Sequence, residues 1–171
     1  MTKHFMITPV ISIGLALLSG CASFSTLENV DAPNSASMDL ELAEKVLLAY
    51  FDELSRGEYN SAAARYGGDL TLMSDSNPDV DSQDLPALFE AACTRQLQCL
   101  PVRTITQATQ STTETFTFRL EFSNRDGSLF VLGPCCGATE TEMPPVSEFD
   151  CSVENTAESG FQVMCLPVYV P

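Results

Sequence analysis

The chain has 171 residues with 23 acidic and 8 basic side chains, a formal charge of −15, seven cysteines, one histidine and no tryptophan. Its length is that of one domain. So acidic a surface repels phosphate backbones and anionic headgroups, which argues against nucleic-acid binding and against a polybasic membrane dock and leaves solubility as the plain reading of the charge.

Lys3 and His4 head an apolar run over residues 5–18, of signal-peptide length and short of the roughly 18 or more apolar residues that cross a bilayer. The run closes at Leu18-Ser19-Gly20-Cys21. That tetrapeptide resembles the bacterial lipobox, and the resemblance implies that the Cys21 thiol takes a diacylglyceryl group, that cleavage follows Gly20, and that the new amino terminus is open to acylation by a fatty chain such as palmitate. The other reading is an ordinary secretory signal with an incidental cysteine. Ala22 stands where, by resemblance to enteric lipoproteins, an aspartate would signal retention at the inner membrane. The expected location is therefore the cell envelope, at the outer membrane if the host has one. Removal of residues 1–20 takes away Lys3 and His4, so basic residues fall from 8 to 7 against 23 acidic ones, a formal charge of −16 with Lys45 the sole lysine. Lipid is then the membrane contact. At about 0.8 kcal/mol per buried methylene, one chain holds marginally and two or three hold firmly.

The expected organisation is a signal peptide over 1–20, a lipidated flexible tether over 21–38, and one domain over 39–171. From 22 to 37 the residues are mostly Ser, Ala, Asn and Asp, with Pro33 and no sustained apolar period. As a coil, some 16 residues span about 20–25 Å. Asp39 is the expected N-cap of a first helix, on which Leu40, Ala43, Leu47, Tyr50, Phe51 and Leu54 recur at helical spacing. Gly57 ends it. Asn60 is the expected cap of a short second helix over 61–66, stopped by Gly67-Gly68. A brief strand is expected over 69–73, then a polar loop over 74–84. A third helix over 85–97 has Asp84 as cap and Pro86 in its first turn. Strands are expected over 102–108, 115–123, 128–133, 148–153 and 161–170, with the clearest alternation at Phe116, Phe118, Leu120 and Phe122 and a hairpin turn at Asn124-Arg125-Asp126-Gly127. Helices first and antiparallel strands after them indicate an α+β fold, the helices packed on one face of a curved, cone-like sheet.

Cys93, Cys99, Cys135, Cys136, Cys151 and Cys165 remain once Cys21 is set aside. An even set in an exported domain reads as three disulfides. Cys93 and Cys99 are close enough in sequence to close around the end of a helix, and Cys151 and Cys165 face each other if a hairpin turns near 156–160. Cys135 and Cys136 point to opposite faces of an extended chain. Two outcomes are open: a strained ring joins them, which would be a candidate for redox chemistry, or they take separate partners and one of the local pairs does not form. Structural stapling is the default. No Cys-x-x-Cys pair and no mature histidine is available for zinc.

Residues 46–66, VLLAYFDELSRGEYNSAAARY, carry a long helix, a break of the form Gly, acidic, Tyr, and a short alanine-rich helix. This stretch resembles the opening of nuclear transport factor 2-like domains; over the rest of the chain only the order of elements fits. The resemblance implies an α+β cone, often dimeric, whose helices and sheet enclose a pocket. That fold hosts isomerase-like enzymes, small-ligand binders and interaction modules alike, so it does not assign an activity.

Without a mature histidine, Ser-His-Asp, Cys-His and His-ligated metal catalysis are excluded, and no phosphate-binding glycine loop or dinucleotide fingerprint occurs. Isomerase-like chemistry needs a carboxylate base and hydroxyl donors inside an apolar cavity. Tyr50, Tyr66 and Asp69 come nearest, but the tyrosines read more simply as core aromatics. Asp75, Asn77 and Asp79 have the alternating spacing of a calcium loop, yet Val80 and Pro86 stand where its glycine and bidentate glutamate belong. The expectation is a lipid-anchored, non-catalytic module that binds a protein partner or small ligand, with no cofactor, no resident metal and a homodimer as an open possibility. A pocket enzyme or carrier and a structural envelope protein are the alternatives.

Overall fold

The computed structural model describes residues 35–170, and the leader, Cys21 and residues 22–34 lie outside them. The first apolar stripe becomes α1 (Ser35–Ser55), burying Ala43, Leu47, Tyr50, Phe51 and Leu54 along one side. It starts four residues before Asp39, which therefore lies within the helix and does not cap it. Gly57 ends it at φ +77°, donating to the Leu54 carbonyl at 3.1 Å while Glu58 donates to that of Glu53 at 2.8 Å. This left-handed closure satisfies carbonyls that the helix end would leave bare.

α2 (Tyr59–Ala63) follows directly, so Asn60 is inside it and not its cap. α3 (Thr71–Ser76) replaces the expected strand over 69–73. The reason is local: one Asp69 carboxylate oxygen accepts from the Thr71 amide at 2.9 Å and its hydroxyl at 2.7 Å, turning the chain into a helix. α4 (Leu85–Arg95) has the expected cap, with Asp84 accepting from the Ala87 amide at 3.1 Å, and it ends two residues short of the expected boundary.

Leu97 and Gln98 instead form β1 (Leu97–Gln98), antiparallel to β6 (Val168–Tyr169) with Leu97 opposite Tyr169. β2 (Val102–Gln110), β3 (Thr115–Phe122), β4 (Phe149–Thr156) and β5 (Gly160–Val163) make one antiparallel sheet in that order. The inner face of β3, Phe116, Phe118, Leu120 and Phe122, is buried, and Val153 and Val163 extend the apolar row across the sheet in register with Phe116. α1 lies over this face against β2, β4 and β5. The outer face is polar: Arg119 pairs with Asp150 at 2.8 Å across β3 and β4. β2 carries two register shifts and is exposed at most positions.

The expected strand over 128–133 does not form; among the described residues it contributes isolated bridges, Ser123 to Leu129 and Leu132 to Val146. β3 already has β2 and β4 beside it as far as Leu120, so only its last two residues have a free side, where the Phe130 amide donates to the Phe122 carbonyl at 2.9 Å. The turn before it is as expected, with Gly127 at φ +82° donating to Asn124 at 2.9 Å.

Candidate functional site

Tyr50 and Tyr66 do come together, but as core. Their rings stack 6.1 Å apart and Phe89 meets both edge-on, at 6.0 and 5.3 Å. The Tyr50 hydroxyl donates to the Cys165 carbonyl at 3.3 Å and the Tyr66 hydroxyl to the Asp69 carbonyl at 2.8 Å. Burial raises the Tyr50 phenol well above its ordinary value, and burial, with a smaller contribution from the Asp69 charge, pushes Tyr66 up to about 12. Both phenols therefore stay neutral and bonded to backbone. The Asp69 carboxylate is exposed, held below its ordinary value by the Thr71 hydroxyl and amide, and occupied in starting α3. None of the three lines the apolar recess that opens beside the β1–β6 ladder.

That recess, about 490 Å³, lies beside the short β1–β6 ladder. Gln98, Tyr169 and Val170 form one side; Phe130 through Cys135, with Met143, form the other. The second side is held by two couplings. Leu132 and Val146 exchange amide-to-carbonyl bonds at 2.8 and 2.9 Å, closing the intervening loop. Phe130 meets Phe149 at 6.0 Å, and Phe149 meets Phe122 at 5.7 Å, so a line of rings runs from the core to the recess. The ladder is held by Val170, which donates to the Gln96 carbonyl at 2.8 Å. Val131 is 48% exposed and Tyr169 42%, with Leu129 and Val146 also open to solvent nearby in sequence and bridging. Among the described residues the lining contains no carboxylate and no cation. Its volume falls in the range of small-molecule pockets, roughly 300–1,000 Å³, and its lining is the mainly apolar kind such pockets show.

Sequence reasoning missed this recess. The exposed apolar residues within 129–132 were the available signal, but residues 128–133 read as an ordinary strand. The opposite wall depends on Leu97 pairing with Tyr169, which no local period reveals.

Both local cysteine pairs form disulfides, Cys93–Cys99 and Cys151–Cys165, with Cα atoms 5.4 and 5.3 Å apart. Each staples a terminus of the ladder region to the body: Cys99 follows β1, and Cys165 lies between β5 and β6. Cys135 and Cys136 are unbonded, their sulfurs 2.9 Å apart, so among the described residues neither takes a separate partner.

The acidic loop is organised by a cation of the protein's own. Arg95 donates to Asn77 Oδ1 at 3.0 Å and to both Asp79 oxygens at 2.8 and 2.9 Å, and the fully buried Asn77 amide donates to the Met73 carbonyl at 2.8 Å. Two of the three oxygen-bearing residues with calcium-loop spacing are thus committed to a guanidinium. Among the described residues no group of three or more His, Cys, Asp or Glu is placed to hold a metal ion, and no helix is long and apolar enough to cross a membrane. Comparison with known protein families, curated proteins and solved structures finds no match for this chain.

Proposed function

We infer that the chain is a lipid-anchored protein of the bacterial envelope, carrying a nuclear transport factor 2-like α+β domain that acts by binding and not by catalysis. The lipobox-like Leu18-Ser19-Gly20-Cys21 supports the anchor, and helices packed on one face of an antiparallel sheet fit the domain. The observation that carries the binding role is the 490 Å³ apolar recess between the β1–β6 ladder and residues 130–135. Its expected occupant is a small, largely apolar molecule, with Gln98 and the Tyr169 hydroxyl as its polar contacts. A carboxylate base in a desolvated site is what isomerase-like chemistry requires, and the described residues lining the recess supply none. A structural role through a flat apolar sheet face is disfavoured by the Arg119–Asp150 pair on the outer face.

Native mass spectrometry of residues 22–171, secreted to an oxidising compartment, tests the reading. The expected result is a non-covalent small-molecule adduct, lost on denaturation and absent from Val131→Glu, which puts a charge on the wall at an exposed and readily tolerated position. An empty wild-type protein, or an adduct that Val131→Glu retains, overturns it.

A further inference from the structure

Cys135 and Cys136 are neighbours in sequence, yet their sulfurs lie on the same side of the chain, 2.9 Å apart. A tight turn puts them there. Cys136 has φ +59° and Gly137 φ +88°, and the Ala138 amide donates to the Cys135 carbonyl at 3.0 Å. Two consecutive positive φ angles define a primed turn, whose first central position is ordinarily Asn, Asp or Gly. Cys136 is the only non-glycine residue with positive φ among the described residues, so a cysteine is held where its side chain is sterically disfavoured. The other four described cysteines are already paired with each other, which leaves these two no cysteine partner but one another among the described residues. Cys136 is exposed and Cys135 half-buried.

We propose that Cys135 and Cys136 form a thiol–disulfide exchange site, distinct in role from the two structural staples. Its co-reactant is an external disulfide. The more accessible Cys136 attacks as thiolate on one sulfur of that disulfide, forming a mixed disulfide and releasing the first thiol, which takes up the proton Cys136 has lost. Cys135 then attacks Cys136 Sγ, its own proton passing to the departing second thiol. One Cys135–Cys136 bond forms and the external sulfur–sulfur bond breaks. Two cysteine sulfurs are oxidised and the external disulfide is reduced, and an external dithiol or pair of thiols runs the sequence backwards. The contact between the sulfurs, more than the backbone, makes the second step intramolecular. The hydrogen bond to Cys136 also raises the Cys135 thiol above its ordinary value, so Cys135 stays protonated while Cys136 makes the first attack. This inference stands on the turn and the cysteine pairing and does not depend on the recess holding a ligand.

The test is a titration of the full chain in glutathione buffers from reducing to oxidising, followed by acid trapping, alkylation and peptide mass spectrometry. The expected result is that Cys135 and Cys136 pass together, reversibly, from alkylated to mutually bonded, while Cys93, Cys99, Cys151 and Cys165 stay protected throughout. In Cys135→Ser the reaction is expected to stop at the first step, leaving glutathione on Cys136. The proposal is overturned if Cys135 and Cys136 remain alkylated under the most oxidising buffer, if either is found bonded to one of the other four, or if all six open together over one range.

Discussion

Glu53 and Arg65 form a two-pronged ion pair between α1 and the chain leaving α2, with Arg65 Nε 2.8 Å from one Glu53 oxygen and Nη2 2.9 Å from the other. Glu53 is buried while Arg65 keeps a side open to solvent. The pair fixes the backbone at Arg65, whose carbonyl accepts from Val163 in β5 at 2.8 Å. Glu53→Ala is expected to destabilise by about 1–3 kcal/mol, below the cost of stranding a fully buried charge because the guanidinium can rehydrate. Glu53→Gln, which keeps one of the two acceptor oxygens, is expected to lose less. Urea unfolding checks this, with midpoints that fall and slopes that do not change.

The Asp79–Arg95 pair sets an acid-side dependence. Hydrogen bonding to Arg95 lowers the Asp79 carboxyl from 3.8 to about 2. Because the folded value lies below the unfolded one, the stabilisation is fully present above about pH 4 and disappears as pH falls from there to about 2. Asp79→Asn removes it, so the melting temperatures of wild type and variant are expected to differ most above pH 4 and to converge toward pH 2. The side chain is largely exposed, so the gap is small and shrinks further in added salt. A constant gap across that range would show that Asp79 acts through something other than its charge.

Gly68 is a close-approach position. A methyl group there would sit 2.6 Å from the Tyr66 hydroxyl oxygen and 2.7 Å from the backbone carbonyl of Met164, and the latter cannot rotate away. Gly68→Ala is expected to cost about 1–3 kcal/mol as overpacking. Gly133→Ala, where nothing lies within 4 Å and φ is not positive, is expected to be neutral or slightly stabilising. Thermal melts of the two variants side by side separate the effect of position from the effect of the alanine.

Cys21→Ser removes the only thiol at the lipobox-like site. In cells fed a labelled fatty acid, the wild-type chain is expected to carry label and partition with membranes, and the variant to lose both. Label retained by Cys21→Ser would remove the anchor from the account while leaving the folded domain as described.

Features set by contacts between near neighbours in the chain are legible in the residues themselves. The apolar stripe of α1, the glycine that ends it, the Asp84 cap and the Phe116 to Phe122 alternation each follow from a period or a local hydrogen bond. So do the two short disulfides, because a helix end and a hairpin bring their cysteines together without reference to the rest of the chain. The differences fall where a few polar contacts outweigh propensity. Asp69 winds residues 71–76 into a helix where apolar content alone reads as a strand. The relation between Cys135 and Cys136 turns on two backbone angles that composition does not encode.

The sequence by itself determined the acidity and the α+β order. Tertiary structure alone decided that the Tyr50 and Tyr66 hydroxyls are bonded to the Cys165 and Asp69 carbonyls, that Arg95 fills the acidic loop, and that an apolar recess opens beside Tyr169. The physical reason is range. Periods and caps act over a few residues, whereas the recess exists only once Leu97 pairs with Tyr169 and Leu132 with Val146, contacts whose free energy comes from the folded chain as a whole.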